Sequence, residues 1–75
     1  MIFVTNDSVM GKNICYLRCK HGIARDVLAK QSGISLQELW WIEDGCLQEI
    51  DGQILLNICQ FFNIPVDILV EKKMY

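Results

Sequence analysis

Four cysteines, at 15, 19, 46 and 59, and one histidine, His21, are the soft or nucleophilic ligands in this 75-residue chain. Cys15 and Cys19 stand one helical turn apart, close to His21, a spacing that offers metal ligands on one helix face. No fourth ligand follows at a structural-zinc spacing, so neither a metal nor a cofactor is expected. The opening Met1-Ile2-Phe3-Val4 lacks a basic leader and is not expected to act as a secretory signal. The thiols therefore read as reduced residues of a cytoplasmic protein, packed in or near the core as small apolar side chains. Catalysis finds no better footing. The lone histidine comes without a glycine-rich phosphate loop, a nucleophile elbow or an acid and base set, so no catalytic residue is nominated and the chain does not read as an enzyme.

Charge is the other source of chemistry. The net value is only -2, but residues 1–33 carry Lys12, Arg18, Lys20, Arg25 and Lys30 against Asp7 and Asp26. Residues 34–75 carry seven acids against Lys72 and Lys73. Contact with nucleic-acid phosphate thus falls to the first half. Hydrophobic residues make up 52% of the chain, more than a monomer this small hides easily, which points to self-association or a protein partner. The longest apolar stretch, Ile54 to Val70, is broken by Asn57, Gln60, Asn63, Pro65 and Asp67, so no membrane span is expected there.

The elements that would position these groups are short helices. Met10, Ile14 and Leu17 recur at helical spacing between about Val9 and His21, with Gly22 as a stop. Ala24 to Ser32 forms a second helix with Val27 and Leu28 inward, ending at Gly33. Ser35 and Glu38 make a capping box for a third helix, flanked by Ile34 and Leu39 as a hydrophobic staple, which runs through Ile42 to Gly45. A polar loop from Asp44 to Ile50 follows. Asp51 caps a fourth helix with Leu55, Ile58, Cys59 and Phe62 inward, Asn63 stops it, and Pro65 to about Leu69 gives a fifth turn. The core is expected to centre on Leu17, Leu28, Leu39, Ile42, Leu55 and Phe62, with no sheet inside the domain. Ile2 to Val4 and Leu69 to Val70 both favour extended backbone, and a small ribbon between them, or with a neighbouring chain, is expected at the edge. The whole chain, 1–75, reads as one domain with its core in 9–70 and extensions at 1–8 and 71–75.

Gly11-Lys12-Asn13-Ile14 through Leu17-Arg18 to Gly22-Ile23 resembles the first helix of the Cro/C1-type helix-turn-helix repressors. Val27-Leu28-Ala29, Gly33-Ile34-Ser35, Leu39 and Ile42-Glu43-Asp44-Gly45 resemble the second and third helices of that family in register. Ile50-Asp51 to Leu69-Val70 is similar to the last two helices of its small prophage-type branch. The resemblance implies an all-α, five-helix, lambda-repressor-like domain and a DNA-binding transcriptional regulator whose third helix enters the major groove, as a dimer on paired half-sites. It puts Leu36, Gln37 and Trp41 toward base edges, Ser35 and Glu38 at the helix start, and Arg25 on a phosphate. Gln37 can bond an adenine edge twice and Leu36 can meet a thymine methyl, although Gln37 reads equally well as a solvated residue and Glu38 better as a cap than as a base reader. Arg18 and Glu43 are implied to form a structural salt bridge.

Departures from the family pattern carry their own implication. Glu38, Glu43, Asp44, Glu49 and Asp51 fall between residues 36 and 51 with no base among them, so binding to double-stranded DNA is expected to be weak or dimer-dependent. The alternative keeps the fold and makes the acidic third helix a surface for a protein partner. Trp40 and Trp41 are adjacent, so one is expected to lean on the core and the other to lie exposed. Leu47, Leu56 and Phe61 lie off the inward stripe and are the expected homodimer surface.

Overall fold

The computed structural model describes the backbone of residues 3–5, 8–47 and 49–75, and side chains at 9–47 and 49–75. Among them the order is β1 (Phe3–Thr5), α1 (Ser8–Lys20), α2 (Arg25–Ser32), α3 (Leu36–Asp44), β2 (Glu49–Asp51), α4 (Gly52–Phe62) and α5 (Val66–Glu71). Helix ends follow local chemistry. Gly33 takes φ 80° and its N–H caps Ala29 and Lys30, closing α2 where a side chain would be strained. Asn63 closes α4 in the same left-handed conformation, with φ 54°. Asp51 accepts from the Gln53 N–H at 2.8 Å and starts α4.

The core draws on every helix: Met10, Ile14 and Leu17 from α1, Leu28 and Ala29 from α2, Leu39 and Ile42 from α3, Leu55, Ile58 and Cys59 from α4, and Leu69 from α5. Five of the six expected centres are buried. Phe62 is instead half-buried, because it is the last residue of α4 and lies at the rim, edge-to-face with Phe61 at 5.1 Å. Val27 faces solvent, since the inward face of α2 is Leu28, Ala29 and Ser32. The thiols also divide: Cys59 is buried and Cys15 half-buried, whereas Cys19 and Cys46 are exposed and depart from the expectation of cysteines packed in or near the core.

The edge differs from the sequence expectation. A two-stranded antiparallel sheet is present, and its partners are β1 and β2, with Val4 opposite Ile50. Ile50 is buried, so a segment read as polar loop contributes a core side chain. Ile2 lies outside the described residues. Leu69 and Val70, expected to be extended, are helical in α5, and the reason is Asn13. This fully buried side chain on α1 donates from Nδ2 to the carbonyls of Leu69 (2.8 Å) and Lys72 (2.6 Å), while its Oδ1 accepts from the Met74 N–H (2.9 Å). One amide thus satisfies the end of α5 and holds it on α1.

The angle of α3 is held by charge. Arg18 on α1 reaches Glu43 on α3 through a two-pronged contact, Nε to Oε2 at 2.8 Å and Nη2 to Oε1 at 3.1 Å, and its Nη1 donates to the Ile23 carbonyl at 3.1 Å. Arg25, the first residue of α2, gives Nε to the same Oε1 at 3.1 Å. The Glu43 side chain is 1% exposed and that of Arg18 11%, so both charges are largely out of water and depend on each other. Hydrogen bonding to Glu43 holds the Arg18 guanidinium above its ordinary value. The three helices of the corner therefore meet on one carboxylate.

Two outcomes follow for stability, both measurable by urea unfolding. Asn13→Ala strands two carbonyls and an N–H, and is expected to cost about 2–3 kcal/mol with loss of amide protection confined first to α5. Glu43→Gln strands Arg18 and is expected to cost about 3 kcal/mol, whereas Arg25→Ala, at a wetter site, costs under about 1 kcal/mol. Arg18→Met combined with Glu43→Gln should cost clearly less than the sum of the two single changes, and additivity of the pair would show that the clamp carries no coupling.

Candidate nucleic-acid interface

The exposed side of the corner is built by the start of α3. Ser35 Oγ accepts from the Glu38 N–H at 3.1 Å and the Glu38 carboxylate returns to the Ser35 N–H at 3.4 Å, a complete capping box. The Ser35 hydroxyl also donates to Glu38 Oε1 at 3.2 Å. These two candidate residues thus hold one another and set where the helix begins. Leu39, Ile42 and Glu43 turn into the core, which leaves Leu36, Gln37, Trp40 and Trp41 on the outside. Leu36, Trp40 and Trp41 are 47%, 46% and 44% exposed. Both tryptophans face solvent, contrary to the expectation that one leans on the core, because the inward stripe of this nine-residue helix is already filled by Leu39 and Ile42.

Trp40 has a cover of another kind. The Arg25 guanidinium lies 5.2 Å from its ring centroid while its Nε is given to Glu43. Arg25 is therefore not a free cation waiting for a phosphate: one edge is spent on Glu43, one face on Trp40, and its side chain remains 36% exposed. Arg25, Trp40, Leu36, Ala24, Asp26 and Arg18 line an open hollow of about 450 Å³ between the starts of α2 and α3. Trp40 was not among the candidates read from sequence. Its contact spans the turn between two helices, and no local pattern announces it.

The electrostatics of the face follow from this arrangement. Glu38, Glu43 and Asp44 are the acids of α3, which has no base in its last turn. Glu43 is neutralised inside by Arg18 and Arg25, which leaves Glu38 and Asp44 exposed to any approaching polyanion. The helix can offer an amide, Gln37, and apolar contacts from Leu36 and Trp41, but few charge-assisted donors. Among the described residues no group of three or more His, Cys, Asp or Glu is placed to hold a metal, and no helix is long and apolar enough to cross a membrane.

No protein-family model and no curated protein matches the chain. Solved structures do. The N-terminal DNA-binding domain of SinR from Bacillus subtilis superposes with a TM-score of 0.82 at 22% identity, over 92% of this chain and 100% of that one. The P22 c2 repressor in complex with a synthetic operator matches with a TM-score of 0.78 at 25% identity, over 87% and 97% of the two chains. The restriction-modification controller protein C.AhdI from Aeromonas hydrophila gives 0.74 at 21% identity, over 83% and 92%. By their descriptions these are a DNA-binding domain, a repressor and a controller protein, not enzymes. The chain is similar throughout most of its length to Cro/C1-type repressors and has their five-helix, lambda-repressor-like helix-turn-helix fold.

Proposed function

We propose that this chain is a DNA-binding transcriptional regulator that lays α3 in the major groove, with residues 1–75 forming one helix-turn-helix domain around a core in 9–70. The observation that carries the reading is the outward row Leu36, Gln37 and Trp41 on a helix whose other side is clamped by Glu43. A rigid helix with a solvent-facing start is what groove insertion needs, since base contacts require fixed orientation. Gln37 is the hydrogen-bonding reader, suited to the N6 and N7 edge of adenine, and Leu36 packs on a thymine methyl. Trp41 lies along the groove wall. Ser35 and Glu38 set the helix start, and the free nitrogens of Arg25 are available to a phosphate. Acting in the cytoplasm, two copies would pair through α4, where Leu56 and Phe61 are 43% and 37% exposed; Leu47, half-buried against the core, adds less than its sequence position implied. Because few cations face the groove, affinity rests on base contacts and on the dimer.

A second reading is favoured by one feature. Leu36, Trp40 and Trp41, flanked by Glu38 and Asp44, form an aromatic and acidic surface of the kind that receives a protein partner. Fluorescence anisotropy of labelled mixed-sequence duplexes separates the two. The DNA reading expects affinity to fall between about 50 and 200 mM salt, with a log–log slope near 0.9 for each phosphate contacted. On a preferred site, Gln37→Ala is expected to remove about 1–3 kcal/mol of sequence preference without changing that slope. Absence of binding at low salt, or binding indifferent to salt, would overturn this reading in favour of the protein-binding one.

A further inference from the structure

Cys15 and Cys19 sit four residues apart on one face of α1, Cys15 half-buried and Cys19 exposed. The one-turn spacing makes the two thiols neighbours along that face. Arg18, one turn along the same helix, brings Nη2 to 3.8 Å from Cys15 Sγ. Burial first, then the charge of Glu43 and the neighbouring Cys19, push the Cys15 thiol up, so at neutral pH it keeps its proton and is a poor nucleophile. The pair is not built for thiolate attack. Among the described residues no third or fourth His, Cys, Asp or Glu joins it, which leaves tetrahedral zinc without its ligands. Two sulfurs one turn apart, with the nearby Glu43 already held by Arg18 and Arg25, match a different ion class: soft, monovalent and closed-shell, content with two thiolates in a linear arrangement.

We propose that Cys15 and Cys19 form a two-coordinate site for a soft monovalent cation of the Cu(I) type on the surface of α1. Each thiol releases its proton to solvent as one sulfur–metal bond forms, and no oxidation state changes. The product, two thiolates on one monovalent ion, carries a single negative charge. The Arg18 guanidinium beside Cys15 balances it, against the burial and, after it, the Glu43 charge that favour the protonated thiol. The exposed side of Cys19 is the entry path.

The test is an anaerobic competition of the full chain, carrying Cys46→Ser to remove the other exposed thiol, against the coloured Cu(I)–bicinchoninate complex. The proposal expects about one equivalent of Cu(I) withdrawn per chain, and a loss of competing strength of roughly tenfold or more in Cys19→Ser and in Cys15→Ser. Cys19 is exposed, so its variant keeps the fold, which far-UV circular dichroism checks, and it stands as the deciding variant if Cys15→Ser is misfolded. Three results overturn the site: no Cu(I) withdrawn by the parent, half an equivalent shared between two chains, or a Cys19→Ser variant within tenfold of the parent.

Discussion

The Glu43 carboxylate is buried to within 1% of complete exclusion from solvent, and a charge in that position is tolerable only when its oxygens are filled by donors. Arg18 supplies two and Arg25 a third. Since Arg18 comes from α1, Arg25 from the first position of α2 and Glu43 from the end of α3, this requirement fixes the mutual placement of the three helices. Apolar contacts such as Ile14, Leu28, Leu39 and Ile42 supply the cohesion, but they are compatible with small rotations that the forked ion pair is not. The Ile23 carbonyl, also held by Arg18, brings the link between α1 and α2 into the same arrangement.

Consequences of that clamp reach the surface. Arg25 is drawn inward onto Glu43 and across Trp40, so this cation beside α3 is partly spent on structure. The outward face is left with an amide, aliphatic and aromatic groups, and two exposed acids. Such a face offers shape and hydrogen-bonding groups more than charge, which holds down its attraction for any polyanion.

On the opposite side a neutral group does comparable work. Asn13 satisfies three backbone groups around the end of α5, and Asn57 on α4 donates to the Ser32 carbonyl at the end of α2 with a distance of 3.1 Å. Both are side-chain amides used as substitutes for missing helical partners. In a chain with so small a core, satisfying helix ends internally keeps short helices such as α2 and α5 from fraying, which neither could resist alone.

Where a structural decision lies within a few adjacent residues, it was legible in the sequence. Gly33, the Ser35 and Glu38 capping box, Gly45, Asp51 and Asn63 mark helix ends by chemistry that acts over one turn. The spacing of Met10, Ile14 and Leu17, and of Leu55, Ile58 and Cys59, likewise defines buried faces without reference to any distant partner. Tertiary structure alone decided the rest. Ile50 becomes a strand residue because Val4, far along the chain, lies opposite it, and Leu69 stays helical because Asn13 reaches it from α1. Trp40 and Trp41 both face out because Leu39 and Ile42 already occupy the inward side, and Arg25 covers one of them from another helix. Extended segments of two or three residues, and side chains that choose between partners, have no stable preference of their own, so they take the conformation that the assembled neighbours make lowest in free energy.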